Sequence, residues 1–181
     1  MPRTRRSTSR EEKTEEILAV AERRLREGGY EALSVAAIAR ELGLAQNAIY
    51  WYFPSKDHLF VATLERMLKR IASRKPSKGV DDVERILWFT DQFRPISELR
   101  GAMNDRARSS EVVADFVRRL DTLLSNMLSN VLARHVAAGD LPAAVEAFRA
   151  TAEGTFARGL SRAKRRQVLA FALARLMGGG T

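Results

Sequence analysis

The chain has 181 residues, 45% of them hydrophobic, and a formal net charge of +9. This length allows a small N-terminal module and a larger second domain, while the absence of cysteine excludes disulfides and thiolate metal sites. No apolar run is long enough to cross a bilayer, so we expect a cytoplasmic protein.

The first ten residues, MPRTRRSTSR, contain arginines but no acidic and almost no apolar side chain, so they cannot fold alone. A first helix is predicted at residues 11–27, where apolar residues recur at helical spacing and Gly28-Gly29 follows as a stop signal.

Two short helices joined by a tight turn are predicted between residues 34 and 53. Ser34 can cap the first helix, which runs to Leu42 with apolar residues on one face. Gly43 then suits the left-handed backbone that ends it. The second helix, residues 45–53, turns Ile49 inward. This helix-turn-helix pattern fits the major groove of DNA.

Four consecutive aromatic residues, at positions 50–53, form part of this second helix. They cannot all be buried, because successive side chains on a helix point about 100° apart. We therefore expect Asn47, Tyr50 and Trp51 on the outer face, available to a partner.

Lys56 begins the next helix, directly after the expected cap Ser55. The helix dipole disfavours a cation at this end. A phosphate bound there would be met by free backbone N–H groups and by the ammonium group together, so this lysine indicates an anion-binding position.

Residues 43–59, GLAQNAIYWYFPSKDHL, resemble the signature of the TetR family of bacterial transcriptional repressors, and the resemblance extends back to residue 28 through GGYEALS and SVAAIA. It covers roughly the first third of the chain. It implies that Ser34, Tyr50, Tyr52 and Lys56 contact phosphates and that Gln46, Asn47 and Trp51 lie against the bases. Two positions depart from the family pattern: relatives often have a polar or basic residue where this chain has Ala36, and a serine or threonine cap where it has Ala45. Both alanines leave fewer contacts that could anchor the helices to DNA.

Beside a groove-reading unit, the basic N-terminal segment has two interpretations. Arg3, Arg5 and Arg6 belong either to a flexible arm that inserts arginines into the adjacent minor groove, or to a tail that only improves solubility.

The rest of the chain is predicted to be helical, with no strand pattern. Helix 4, residues 56–74, carries an apolar stripe wide enough to contact two domains, and KPSKG at residues 75–79 ends it. Five further helices are predicted at residues 81–92, 95–107, 110–138, 141–158 and 161–177.

The expected fold is therefore all-α: an N-terminal three-helix helix-turn-helix DNA-binding domain plus a C-terminal helical ligand-binding and dimerisation domain, about nine helices in total. The predicted divisions are a basic arm at residues 1–10, the DNA-binding domain at 11–56, a connecting helix and linker at 57–78, and the effector-binding and dimerisation domain at 79–181.

The last two helices are predicted to form a homodimer interface. The final helix is apolar over more than one face, and the same helix pair from a second copy would complete a two-fold four-helix bundle. A dimer would also let two recognition helices, about 34 Å apart, read a palindromic operator. The candidate interface residues are Val145, Phe148, Ala152, Phe156, Val168, Phe171 and Ala172.

In the TetR family, the middle helices enclose an effector pocket. The large apolar side chains that could line it here are Trp88, Phe89, Phe93, Met103, Phe116, Leu123 and Met127. Taken one by one, each is better explained by ordinary core packing, because aromatic and methionine stripes at helical spacing usually indicate packing. The basic run at residues 162–166 is either a solvated helix face or an attraction for an anionic effector or flanking DNA.

Enzyme chemistry is not expected, because the sequence contains no converging nucleophile, acid–base or metal-ligating set. His58 and His135 are the only histidines and have no partners at ligand spacing, so neither a metal nor a cofactor is predicted.

The favoured function is a ligand-responsive transcriptional repressor that binds a palindromic operator as a homodimer and is released by a small-molecule effector. The alternative is a helical dimer that binds ligands or proteins without specific DNA recognition, which Ala36 and Ala45 keep open.

Overall fold

The computed structural model describes residues 10–178, which form nine α-helices, one short 3-10 helix and no β-strand. This confirms the all-α fold with about nine helices. The predicted arm residues Arg3, Arg5 and Arg6 lie outside the described residues. The helices are α1 (Arg10–Gly28), α2 (Val35–Glu41), α3 (Gln46–Tyr52), α4 (Lys56–Ala72), α5 (Asp82–Ser97), α6 (Arg100–Ala107), α7 (Glu111–Leu132), α8 (Leu141–Ala157) and α9 (Arg162–Gly178), with the 3-10 helix at Tyr30–Ala32 between α1 and α2.

The first hydrophobic cluster joins the N-terminal helices to the middle of the chain. It contains the inward faces of α1 to α4 and continues into α5, α6 and α7 through Phe93, Met103 and Phe116. Helix α4 supplies seven buried residues and packs against both α1 and α7. Its wide apolar stripe therefore contacts both halves of the protein, as its sequence predicted.

A second hydrophobic cluster joins α8 and α9 to α5 and α7. Its buried members include Leu132, Val145, Phe148, Leu169 and Leu173. Within residues 10–178, no helix is long and apolar enough to span a membrane.

Two predicted helix boundaries were wrong. Helix α5 continues through Pro95 to Ser97, because Phe93 and Ile96, one turn apart, are both buried and their packing outweighs the backbone bond lost at the proline. Helix α7 ends at Leu132 instead of continuing to residue 138. Beyond it the chain turns, and the side chains of Arg134 and His135 bind Asp82 at the start of α5.

The basic run near the C-terminus is only partly solvated: Arg162 and Lys164 are exposed, whereas Arg165 is buried and Arg166 half-buried. Arg162, Arg165 and Arg166 all form ion pairs with Asp91 of α5, at 3.1, 3.6 and 3.3 Å. Arg166 also binds Glu84 at 2.7 Å, and Arg165 is buried with its guanidinium over the Phe156 ring. These arginines therefore tie α9 to α5.

A buried carboxylate joins α1 to α4. Glu22, only 4% exposed, forms ion pairs with Arg26 at 2.7 Å, with Arg70 at 2.9 Å and with Arg66. Three guanidinium groups around one carboxylate compensate for its removal from water.

Glu22→Ala should lower the free energy of unfolding by about 3 kcal/mol, because it leaves partly buried arginines without their common partner. Glu15→Ala is the matched control, since Glu15 also binds Arg66 but is 63% exposed, and should cost less than about 1 kcal/mol. Urea unfolding of both variants measures the difference, and equal losses would contradict the role assigned to Glu22.

Candidate nucleic-acid interface

The turn between α2 and α3 forms as its sequence predicted. The Ser34 side chain caps α2 by accepting a hydrogen bond from the Ala37 backbone N–H at 3.3 Å. Gly43 adopts a φ of 64°, where a side chain would be strained. The Leu44 N–H then binds the Ala39 carbonyl at 2.8 Å, which closes the turn and fixes where α3 begins.

Helix α3 is held by one face only. Ile49 is fully buried and Phe53, directly after the helix, is 7% exposed. The opposite face has Trp51 at 85% exposure and Tyr50 at 41%. Gln46 and Asn47 are also exposed, whereas Tyr52 is half-buried against the core. Five of the predicted DNA-contacting residues are therefore exposed, namely Ser34 at the start of α2 and Gln46, Asn47, Tyr50 and Trp51 on α3.

Lys56 lies at the first position of α4, behind the cap Ser55, whose hydroxyl accepts the His58 backbone N–H. Its ammonium nitrogen is 4.0 Å from the centre of the Tyr30 ring. This cation–π contact holds the positive charge near the helix start, where the dipole alone would disfavour it.

Asp57, the next residue, joins three parts of the protein. The Tyr30 hydroxyl donates to its carboxylate at 2.6 Å, and Arg106 of α6 donates two hydrogen bonds, at 3.2 and 2.7 Å. Burial opposes the charge of Asp57, but hydrogen bonds from Arg106, Tyr30 and Ser110 outweigh it and lower its pKa to about 2. Burial, followed by the hydrogen bond to Asp57, raises the pKa of Tyr30 to about 12.

Sequence reasoning did not identify this junction. Tyr30 falls within the GGYEALS segment that resembled the family, but the pattern only indicated packing. Arg106 carried no signal, because it is 49 positions from Asp57 and nothing local relates the two residues.

A cavity of about 730 Å³ lies between the two hydrophobic clusters. Four of the predicted pocket residues line it, namely Phe89, Phe93, Met103 and Met127. The other three lie elsewhere: Phe116 is buried in the first cluster, Leu123 is 44% exposed on α7, and Trp88 packs edge-to-face on Phe89. The polar lining residues Arg100 and Arg149 were missed, since charged residues at helical spacing are usually solvated.

The predicted dimer residues do not share one surface. Val145 and Phe148 are 5% and 4% exposed, packed within the second cluster, so they have no free area for a second copy and must be withdrawn from the predicted interface. Phe171 is 64% exposed. The remaining four, Ala152, Phe156, Val168 and Ala172, are half-buried.

The part of the chain described by the structure contains no group of three His, Cys, Asp or Glu residues that could hold a metal ion. The His58 ring lies 2.9 Å from the Ser55 hydroxyl, and the His135 ring lies 2.9 Å from Asp82.

Asp57 should make stability depend on acidity. A carboxyl with a usual pKa of 3.8 and a folded value of about 2 stabilises the fold above pH 4, and this contribution is lost as the pH falls toward 2. The free energy of unfolding of the wild type should therefore exceed that of Asp57→Asn at pH 7, and the difference should shrink between pH 4 and pH 2. A difference that is constant over this range would contradict the assignment.

The family model for bacterial regulatory proteins of the tetR family matches residues 17–63. The chain is 38% identical over 88 residues to the HTH-type transcriptional repressor KstR of Rhodococcus jostii, which covers 48% of this chain and 42% of that protein. It is 26% identical over 135 residues to KstR of Mycobacterium tuberculosis, covering 70% and 61%. The chain thus spans less than two thirds of the length of both curated relatives.

Solved structures show the same fold over about nine tenths of the chain. A transcriptional regulator from Rhodococcus sp. Rha1 superposes with a TM-score of 0.79 at 19% identity, over 92% of this chain and 96% of that one. BioQ, solved with its double-stranded DNA operator, superposes with a TM-score of 0.64 at 20% identity, over 91% and 98%. Residues 17–63 therefore match the tetR family of bacterial regulatory proteins, and about nine tenths of the chain share the fold of these solved structures.

Proposed function

We propose that the protein is a ligand-responsive transcriptional repressor that binds a palindromic DNA operator as a homodimer. The observation that carries this proposal is the outer face of α3. An indole that is 85% exposed is costly to leave in water, and it lies beside exposed amide side chains on a short helix whose other face is buried. Such a face matches a helix that enters the major groove.

The outer face divides by chemistry into two kinds of contact. The amides of Gln46 and Asn47 can form paired hydrogen bonds with a base edge, and Trp51 supplies apolar contact. Ser34, Tyr50 and Lys56 are assigned to phosphates, which position the protein on any sequence. Tyr52, which is half-buried, is also assigned a phosphate contact, through its hydroxyl.

A second copy of the chain would cover the outer faces of α8 and α9. Phe171 is exposed on α9, and α8 presents a row of small exposed residues at helical spacing. Small side chains let helices approach closely, which favours a four-helix bundle around a two-fold axis. The row on α8 comprises Ala143, Ala147 and Ala150, whereas Gly154 and Ala157 further along the helix line the cavity.

The cavity would hold a small-molecule effector, and α6 connects it to the DNA-binding surface. Arg100, Met103 and Asn104 line the cavity, while Arg106 of the same helix binds Asp57, next to Lys56. An effector that displaces α6 would therefore disturb the start of α4. If the effector weakens DNA binding by some factor, DNA must weaken effector binding by the same factor.

The alternative function, a helical dimer without specific DNA recognition, is favoured by one observation. Ala45 at the start of α3 makes no capping hydrogen bond through its side chain, so the helix begins with weaker local support. Fluorescence anisotropy with duplexes at several salt concentrations separates the two functions. The repressor should bind a genome-selected duplex tightly with a steep salt dependence, whereas weak binding of all duplexes alike would favour the alternative.

Lys56→Ala should weaken binding of all duplexes alike and reduce the slope of log affinity against log salt by about 1, because one phosphate contact is lost. Lys78→Ala, an exposed lysine in the segment after α4, is the control and should change neither quantity. Asn47→Ala should instead reduce affinity about tenfold for the preferred duplex and leave non-specific binding unchanged. Identical behaviour of the Lys56 and Asn47 variants would contradict the assigned roles.

Phe171→Glu should convert the dimer to a monomer, because it places a charge at the proposed apolar interface. Leu123→Glu, on another exposed apolar side chain at 44%, is the matched control and should leave the dimer intact. Sedimentation velocity measures both variants. Loss of the dimer in the Leu123 variant alone would contradict the proposed interface and would indicate that α7 forms it instead.

A further inference from the structure

The cavity is mostly apolar, and the charged residues of its lining include two arginines. Aromatic and aliphatic side chains from both hydrophobic clusters surround most of it, and its volume of about 730 Å³ lies in the range that accommodates a drug-sized ligand. These arginines are Arg100 of α6 and Arg149 of α8, and Glu153 also lines the cavity. An occupant should therefore be apolar over most of its surface and polar at one end.

The two arginines of this wall share a single acceptor atom. Arg100 donates to Oδ1 of Asp121 at 2.8 Å, and Arg149 donates to the same oxygen at 2.6 Å. Arg149 also donates to the Ser125 hydroxyl at 2.8 Å. The Nε–H of Arg100 is buried and has no hydrogen-bond partner. A buried guanidinium donor without an acceptor is costly, so an acceptor that reached it would be stabilised.

The other acids of the wall are held more loosely. Glu153 lies 3.6 Å from Arg100 and 3.8 Å from Arg149, beyond hydrogen-bond distance, and is 51% exposed. Glu98 is exposed and pairs with Arg94. Because Glu153 is half in solvent, it can turn outward and leave both guanidinium groups to an incoming anion of similar size. A carboxylate would then form charge-assisted hydrogen bonds at this position.

We infer that the effector is a monocarboxylic acid with an apolar body, whose carboxylate takes the place of Glu153 beside Arg100 and Arg149. The apolar body occupies the space between the two hydrophobic clusters. This inference rests on the proposed function only in calling the ligand an effector, since binding to the cavity can be measured without DNA.

Isothermal titration calorimetry of the full chain at pH 7.5 tests the inference with two acids and their methyl esters. Decanoate represents a ligand with a flexible chain, and 1-naphthaleneacetate represents one with a rigid ring system. The acid that binds more tightly indicates which shape of apolar body fits the cavity. At least one acid should bind at least about tenfold more tightly than its ester, which keeps the shape and loses the charge. Esters that bind as tightly as the acids, or no binding by any of the four, would overturn the inference.

Variants of the wall locate the carboxylate. Arg149→Gln should remove most of the preference for acid over ester, and Glu153→Gln should increase acid affinity because it removes the competing charge. Arg119→Gln, an exposed arginine on α7 that pairs with Glu65, is the control and should change nothing. A Glu153→Gln variant that binds the acid more weakly would overturn the inference. Failure of DNA binding alone would count against the proposed function and leave the calorimetric result intact.

Discussion

A helix of seven residues is not stable in water by itself, so α3 exists because the rest of the fold holds it. Ile49 and Phe53 insert into the first hydrophobic cluster, and the Gly43 turn sets the angle at which the helix leaves α2. These contacts use one face only. The aromatic and amide side chains of the other face are consequently placed outside, in a fixed orientation, and every proposed contact with DNA depends on that placement.

The same cluster makes the N-terminal helices continuous with α5, α6 and α7. Helix α4 packs on α1 and on α7, and Asp57 at its start binds both Tyr30 and Arg106. Since Lys56 rests on the Tyr30 ring, a displacement of α6 would reach Lys56, the proposed phosphate contact, through three successive contacts: Arg106 with Asp57, Asp57 with Tyr30, and Tyr30 with Lys56. The cavity lies against α6 on its other side. The proposed coupling between ligand and DNA would therefore need only a small displacement of one short helix.

Local patterns in the sequence predicted the local features. The caps at Ser34 and Ser55, the turn at Gly43 and the outward position of Trp51 follow from spacing and residue type, and the structure has all of them. Features that depend on residues far apart in the chain could not be predicted from local patterns. Helix α5 passes through Pro95 because of its packing, and Arg162, Arg165 and Arg166 are tied to Asp91, about 70 positions earlier. The cavity wall of Arg100 and Arg149 likewise arises only when α6, α7 and α8 meet.

The central claim is that Trp51 is exposed in the free protein and covered by DNA in the complex. The chain has two tryptophans, so a Trp88→Phe variant isolates the Trp51 fluorescence. The free variant should emit like an indole in water, and a saturating duplex selected from the source genome should quench the emission or shift it to shorter wavelength. Emission typical of a buried indole in the free protein, or a spectrum unchanged when the duplex is demonstrably bound, would contradict the account.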